Sequence, residues 1–187
     1  ELNEGSLDVA IVATPLGEKN LIERVLYEEP FVAYIPNERY HLKEEQKIKV
    51  SDLKLHDMLM LQDGHCFRDS VLNLCQELAH QEKGKGLPVE IKSGSFETLI
   101  RLSNEGMGMT LLPYLHTLNL GEKEIKNLHY FEDPAPAREV SLLYHNHELK
   151  INIINALHEV IAGVVRGAIT FHDLHIIDPI LKKKSKK

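Results

Sequence analysis

Apolar residues follow two rhythms along the chain. The first is a short, nearly continuous run. Leu7 to Ala13, Ile22 to Tyr27, Pro30 to Ile35, Met109 to Leu112 and Val140 to Tyr144 are of this kind. They read as strands, Leu7 to Ala13 and Met109 to Leu112 as buried ones, bounded by breakers such as Thr14-Pro15-Leu16-Gly17, Pro36-Asn37 and Pro113. Glu28-Glu29 separates the second run from the third, so two strands are expected there. Shorter strands are expected at Asp57 to Leu61, Val89 to Lys92 and Leu128 to Phe131.

The second rhythm has helical period. Phe67, Val71, Leu74, Cys75 and Leu78 recur at i, i+4, i+7, i+8 and i+11, one face of a helix ending near Gln81. Lys83-Gly84-Lys85-Gly86 follows as a loop with the backbone freedom to rearrange. Ser95 can cap a helix that buries Phe96, Leu99, Ile100 and Leu102 and stops at Gly106. Leu149 to about Ile169 predicts a long amphipathic helix, with Ile153, Ile154, Leu157, Val160, Ile161, Val164 and Val165 on one side. Lys182 to Lys187 reads as a solvated tail; contact with DNA phosphates is the alternative.

Strands alternating with helices predict an α/β domain with mainly parallel sheets. Chain crossings near 23–35 and 136–140 predict two lobes joined by a hinge. With 187 residues, 43% of them hydrophobic, the chain can bury a core. The net charge of −6 disfavours nucleic-acid binding through the chain's own field. No apolar run approaches the ~20 residues of a membrane span, and no signal peptide is visible.

The two cysteines bring in chemistry. Cys66 comes just after the turn signal Asp63-Gly64 and should sit at or just before the start of its helix; Cys75 falls on the buried stripe. Nine helical residues span about 13.5 Å, whereas a disulfide needs Cα atoms within roughly 7 Å. The pair cannot bond while the helix is intact, which makes the segment a candidate two-state element. A helix start and Arg68 favour a thiolate at Cys66, His65 can add charge or a hydrogen bond, and Asp69 works against it. Such a thiolate reacts with peroxide to a sulfenic acid, which a second thiol converts to a disulfide. The alternative is two inert thiols, Cys75 being plain core. A pair at this spacing suits a reducing cytosol better than a secreted disulfide scaffold.

Other constellations are weaker. His172-Asp173-Leu174-His175 and His145-Asn146-His147 have metal-like spacing, but surface histidines explain them and no metal is expected. Gly106-x-Gly108 is too short for a dinucleotide fingerprint and follows a helix. Ser95 and Thr98 at a helix start could hold an anion or small effector, or simply cap the helix. Arg138 could reach a cleft between lobes or pair with Glu139.

Gly64-His65-Cys66-x-Arg68-Asp69, with a second cysteine nine residues after the first, resembles the redox segment of the peroxide-sensing OxyR branch of LysR-type transcriptional regulators. Ser95-Phe96-Glu97-Thr98-Leu99, Asn104-Glu105-Gly106-Met107-Gly108-Met109-Thr110-Leu111-Leu112-Pro113, Glu4 to Ile11 and Pro136 to Leu142 resemble the wider family's effector domain. The resemblance runs from the first residue to about Ile169. It implies a periplasmic-binding-protein-like fold, with 1–23 and 139–170 in lobe I, 24–138 in lobe II and 171–187 as a tail. It also places the first strand and helix of lobe I, threonines that help bind peroxide, and a winged helix-turn-helix before Glu1, so the chain reads as a fragment.

The function implied is a cytoplasmic redox-sensing regulatory domain rather than an enzyme. Peroxide oxidises Cys66, Cys75 resolves it, and the refolded segment changes a dimer or tetramer and its grip on DNA through a domain outside this chain. Gly64, His65, Arg68 and Asp69 support the cysteine; a glutaredoxin or thioredoxin system resets it; no cofactor is implied. The alternatives are an effector domain binding a metabolite at Ser95, Thr98 and Arg138 with incidental cysteines, and a thiol peroxidase.

Overall fold

A computed structural model describes residues 1–62, 66–81, 89–90, 94–171 and 173–180. In chain order these form strand β1 (Val9–Thr14), strand β2 (Leu21–Tyr34), helix α1 (Asn37–Tyr40), two 3-10 turns, strand β3 (Leu59–Met60) and helix α2 (Cys66–Gln81). Strand β4 (Val89–Glu90), helix α3 (Phe96–Asn104), strand β5 (Thr110–Pro113), short helices α4 (Tyr114–Thr117) and α5 (Glu122–Ile125) and strand β6 (Leu128–His129) follow. Strand β7 (Ala135–His145), helix α6 (Ile151–Arg166) and strand β8 (Leu174–Ile176) complete the order.

The α/β class matches the expectation, but the sheet direction differs. β1, β7, β2 and β5 lie side by side, every pairing antiparallel. β6 joins β2 antiparallel. Parallel pairing occurs at β3–β4 and β7–β8 and at the single bridges Ile48–Phe131 and Met58–Met109. The reason is the length of the two crossing strands. β2 has 14 residues and β7 has 11, and they run antiparallel along most of that length. Apolar runs tell burial but not strand direction.

β2 is also one strand where two were expected. Its register against β7 shifts between Val25 and Tyr27, a bulge that lets one strand bend rather than stop. Pro30 pairs with Ala137 at the last rung before β2 passes to β5, where a missing N–H is tolerated. β1 pairs with β7, and its Ile11 is 54% exposed, so it is not buried on both faces as expected.

The core falls into separate clusters. Phe31, Leu59, Phe67, Val71, Leu74, Cys75, Leu99 and Leu111 belong to the largest. Val32, Tyr34, Ile100, Leu112 and Leu128 form a second across the same strands. Leu26, Leu142, Tyr144 and Ile154 form a third, under α6.

α6 is amphipathic, but the expected single apolar side is divided. Ile154 is buried and Leu157 and Ile161 pack beside it, whereas Ile153, Val160 and Val164 are 65–73% exposed. Nor does the chain trail off after α6. β8 runs parallel to the start of β7, and Ile177 beyond it is fully buried in the largest cluster. Lys182 to Lys187, the Lys83 to Gly86 loop, Gly64, His65 and His172 lie outside the described residues.

Candidate functional site

Both cysteines lie on α2, as the periodicity predicts. Cys66 is its first helical residue and Cys75 is in its third turn. At 1.5 Å per residue their Cα atoms are about 13.5 Å apart, beyond disulfide reach. The opening residues of a helix carry backbone N–H groups with no intrahelical acceptor and the positive end of its dipole. That environment favours a thiolate.

Cys75 experiences the opposite. It is a free thiol, 2% exposed, within the apolar cluster of Phe67, Val71 and Leu74. Burial pushes its pKa up to about 12. A thiol in that state is protonated at neutral pH and shielded from attack, so it gains nucleophilic character only by leaving its site.

Phe67 anchors the first turn of α2. Its ring meets Phe31 edge-on at 5.0 Å and Phe96 at 5.3 Å. The guanidinium of Arg138 lies over the same ring, 5.2 Å from its centre. Arg138 in turn donates Nε and Nη2 to Glu29 Oε2, at 2.9 and 2.7 Å. Glu29 is 1% exposed, and its Oε1 accepts the Leu115 N–H of α4 at 2.9 Å. Glu29 and Arg138 are direct cross-strand neighbours of β2 and β7. A buried carboxylate is thus held by three hydrogen bonds, and its cationic partner covers the ring that seats the cysteine helix.

Arg138 therefore pairs with Glu29 and not with Glu139; Glu139 accepts from Thr14 Oγ1 instead. Arg68 is mostly buried and has Asp69 Oδ1 as one partner, at 3.3 Å. Ser95 occupies the N-cap of α3, and its hydroxyl bonds Glu97, holding that carboxylate below its ordinary pKa. Thr98 is exposed on the first turn of α3. Phe96 connects the start of α3 to Phe67, the ring that Arg138 covers; among the described contacts none joins Ser95 or Thr98 to Arg138. The rings of His145 and His147 lie 5.5 Å apart, tilted by 40°, and His175 is exposed on β8. Among the described residues, no three His, Cys, Asp or Glu side chains gather as a metal site.

Two features escape sequence reasoning. Glu29 has a signal, an acid next to a strand proline between two apolar runs, but its partner lies 109 residues away. Asn73 has none. It is 3% exposed on α2, and its Nδ2 donates to the backbone carbonyls of Asp178 and Ile180, at 2.7 and 2.9 Å.

The geometry can be set beside known proteins. Residues 1–166 match the LysR substrate binding domain. Over 145 residues the chain is 32% identical to a probable hydrogen peroxide-inducible genes activator of Streptomyces viridosporus, covering 75% of this chain and 44% of that protein. It is also 32% identical to the hydrogen peroxide-inducible genes activator of Haemophilus influenzae, covering 77% and 46%. The chain thus spans less than half the length of these relatives. Reduced OxyR from Porphyromonas gingivalis superposes with a TM-score of 0.75 at 26% identity, over 94% of this chain and 78% of that one. The reduced OxyR regulatory domain of Pseudomonas aeruginosa gives 0.69 at 26%, over 86% and 75%. By its sequence and its fold, the chain belongs to the LysR substrate-binding-domain family.

Proposed function

We propose that the chain is the redox-sensing regulatory domain of a peroxide-responsive transcription regulator. The observation that carries this is the placement of the two cysteines on one intact helix, one at its dipole end and one sealed in the core. The Cys66 thiolate attacks an oxygen of hydrogen peroxide. The O–O bond breaks, hydroxide leaves and takes up a proton, and Cys66 becomes a sulfenic acid. Cys75 then loses its proton and attacks the Cys66 sulfur; water leaves and the disulfide forms. Two thiols and one peroxide give one disulfide and two waters. Because α2 holds the sulfurs apart, the second step requires it to unwind.

His65, Arg68 and Asp69 position peroxide and tune Cys66, with Gly64 as a further supporting residue. The lobes, 1–23 with 139–170 and 24–138, meet where β2 and β7 cross. Unwinding α2 shifts the packing of subunits in a homodimer or tetramer, and DNA-binding domains outside this chain respond. The exposed apolar stripe of Ile153, Val160 and Val164 supports such an interface. A cytosolic glutaredoxin or thioredoxin system reduces the disulfide, and the protein acts as a sensor that reacts once rather than as a peroxidase. The metabolite-binding reading at Ser95 and Thr98 is weaker, since Arg138 is already neutralised by Glu29.

The test is mass spectrometry of the protein after one equivalent of peroxide. A Cys66–Cys75 disulfide is expected, together with loss of helical signal from α2. Absence of that bond ends the proposal.

A further inference from the structure

Among the described residues after α6, those from Phe171 to Ile180 are tied down at several points. Phe171 packs edge-on against Tyr114 at 4.8 Å and stacks near Tyr130 at 6.0 Å. Ala135 N–H donates to Asp173 O at 3.1 Å, β8 pairs with Ala135–Ala137, and Ile177 N–H donates to Ala137 O at 2.7 Å. Ile177 is 1% exposed and shares the apolar cluster of Phe67, Val71, Leu74 and Cys75. The last tie is Asn73, two residues before Cys75, which spends both amide hydrogens on the Asp178 and Ile180 carbonyls. Its Oδ1 is buried with no partner. A buried amide gives up one acceptor here in order to hold two carbonyls.

We propose that residues 173–180 are a strap held by the cysteine helix itself: clamped by Asn73, it seals Cys75, and it is released when that helix unwinds. The sealing is inferred from the cluster that Ile177 shares with Cys75 and from the Asn73 clamp two residues away; the release rests on the disulfide switch proposed above. Cys75 cannot move toward Cys66 without moving Asn73, and Asn73 cannot move without dropping the two carbonyls. The coupling is reciprocal. In this scheme loosening the strap uncovers Cys75, and drawing Cys75 toward Cys66 loosens the strap. Asn73 is a positioning residue in this scheme, acting through the strap rather than on peroxide.

Sealing is read by iodoacetamide labelling of Cys75 in the full chain carrying Cys66→Ser, with and without Asn73→Ala. Asn73→Ala is expected to label about tenfold faster, the scale of one or two lost hydrogen bonds. The gain should have a shallow urea dependence, the mark of local opening. Asn73→Gln, which keeps the amide, should recover part of the protection. Equal rates, or acceleration only with the steep urea slope of global unfolding, overturn the seal. Release is read by hydrogen exchange at the Ile177 amide before and after peroxide, with the disulfide scored separately by mass. A disulfide with Ile177 still protected overturns release while leaving the sensor reading intact. If no disulfide forms, the sensor reading and the release fall together, and the labelling alone decides the seal.

Discussion

At the scale of single residues, burial sets the chemistry of the second thiol. The Cys75 pKa is pushed up to about 12 by desolvation, from an ordinary value near 9.0. In the unfolded chain the thiol ionises near that ordinary value, so above it the unfolded state binds fewer protons than the folded one. Stability from the buried neutral thiol is complete below about pH 9 and is lost as pH rises toward 12. Unfolding free energies from urea titration of the dithiol protein should fall more steeply across that window than those of Cys75→Ala, by up to about 4 kcal/mol at its upper end. Glu29 is the other residue whose surroundings decide its role. Glu29→Ala leaves Arg138 mostly buried without its carboxylate and the Leu115 N–H without its acceptor. A loss of about 3–5 kcal/mol is expected in denaturant titration, more than for Glu29→Ala made alongside Arg138→Met.

At the scale of elements, α2 is seated by its first turn. Phe67 touches β2 through Phe31, α3 through Phe96 and β7 through Arg138. Phe67→Ala should cost about 3–5 kcal/mol in equilibrium unfolding. It should also speed formation of the Cys66–Cys75 bond, because the dithiol helix loses its anchor. The turn from α3 to β5 depends on two glycines for separate reasons. Gly106 has φ +76, the left-handed conformation that ends α3. At Gly108 an added Cβ would lie 2.2 Å from the Asp57 carbonyl oxygen, which is backbone and accepts the Met109 N–H. Gly108→Ala should destabilise by roughly 1–3 kcal/mol, seen as a lower thermal midpoint with Leu59 and Thr110 shifted in NMR spectra.

At the scale of the molecule, β2 contributes to all three described apolar clusters and its antiparallel partner β7 to two of them, and residues 173–180 return across these strands to the cysteine helix. Ile153, Val160 and Val164 remain on the surface. Val160→Glu with Val164→Glu should change monomer stability by less than about 0.5 kcal/mol per site, since neither is core. The same pair should weaken self-association in sedimentation or light scattering if this stripe is the proposed subunit contact.

Much of this was legible along the chain, because local pattern carries it. The helical period from Phe67 located α2 to within a residue, and nine residues of rise separated its two sulfurs before any contact was known. The α/β alternation, the Gly106 stop and the burial of Cys75 follow from the same short-range rules. What could not be read is whatever depends on residues distant in sequence meeting in space. The Glu29–Arg138 pair needs the register of β2 against β7, and the antiparallel direction of those strands leaves no mark on their composition. Asn73 looked like any polar residue on a helix until the carbonyls of Asp178 and Ile180 arrived beneath it. α6 showed its apolar residues but not which of them the sheet would cover. Periodicity reports what a residue can bury; the path of the chain decides what it is buried against.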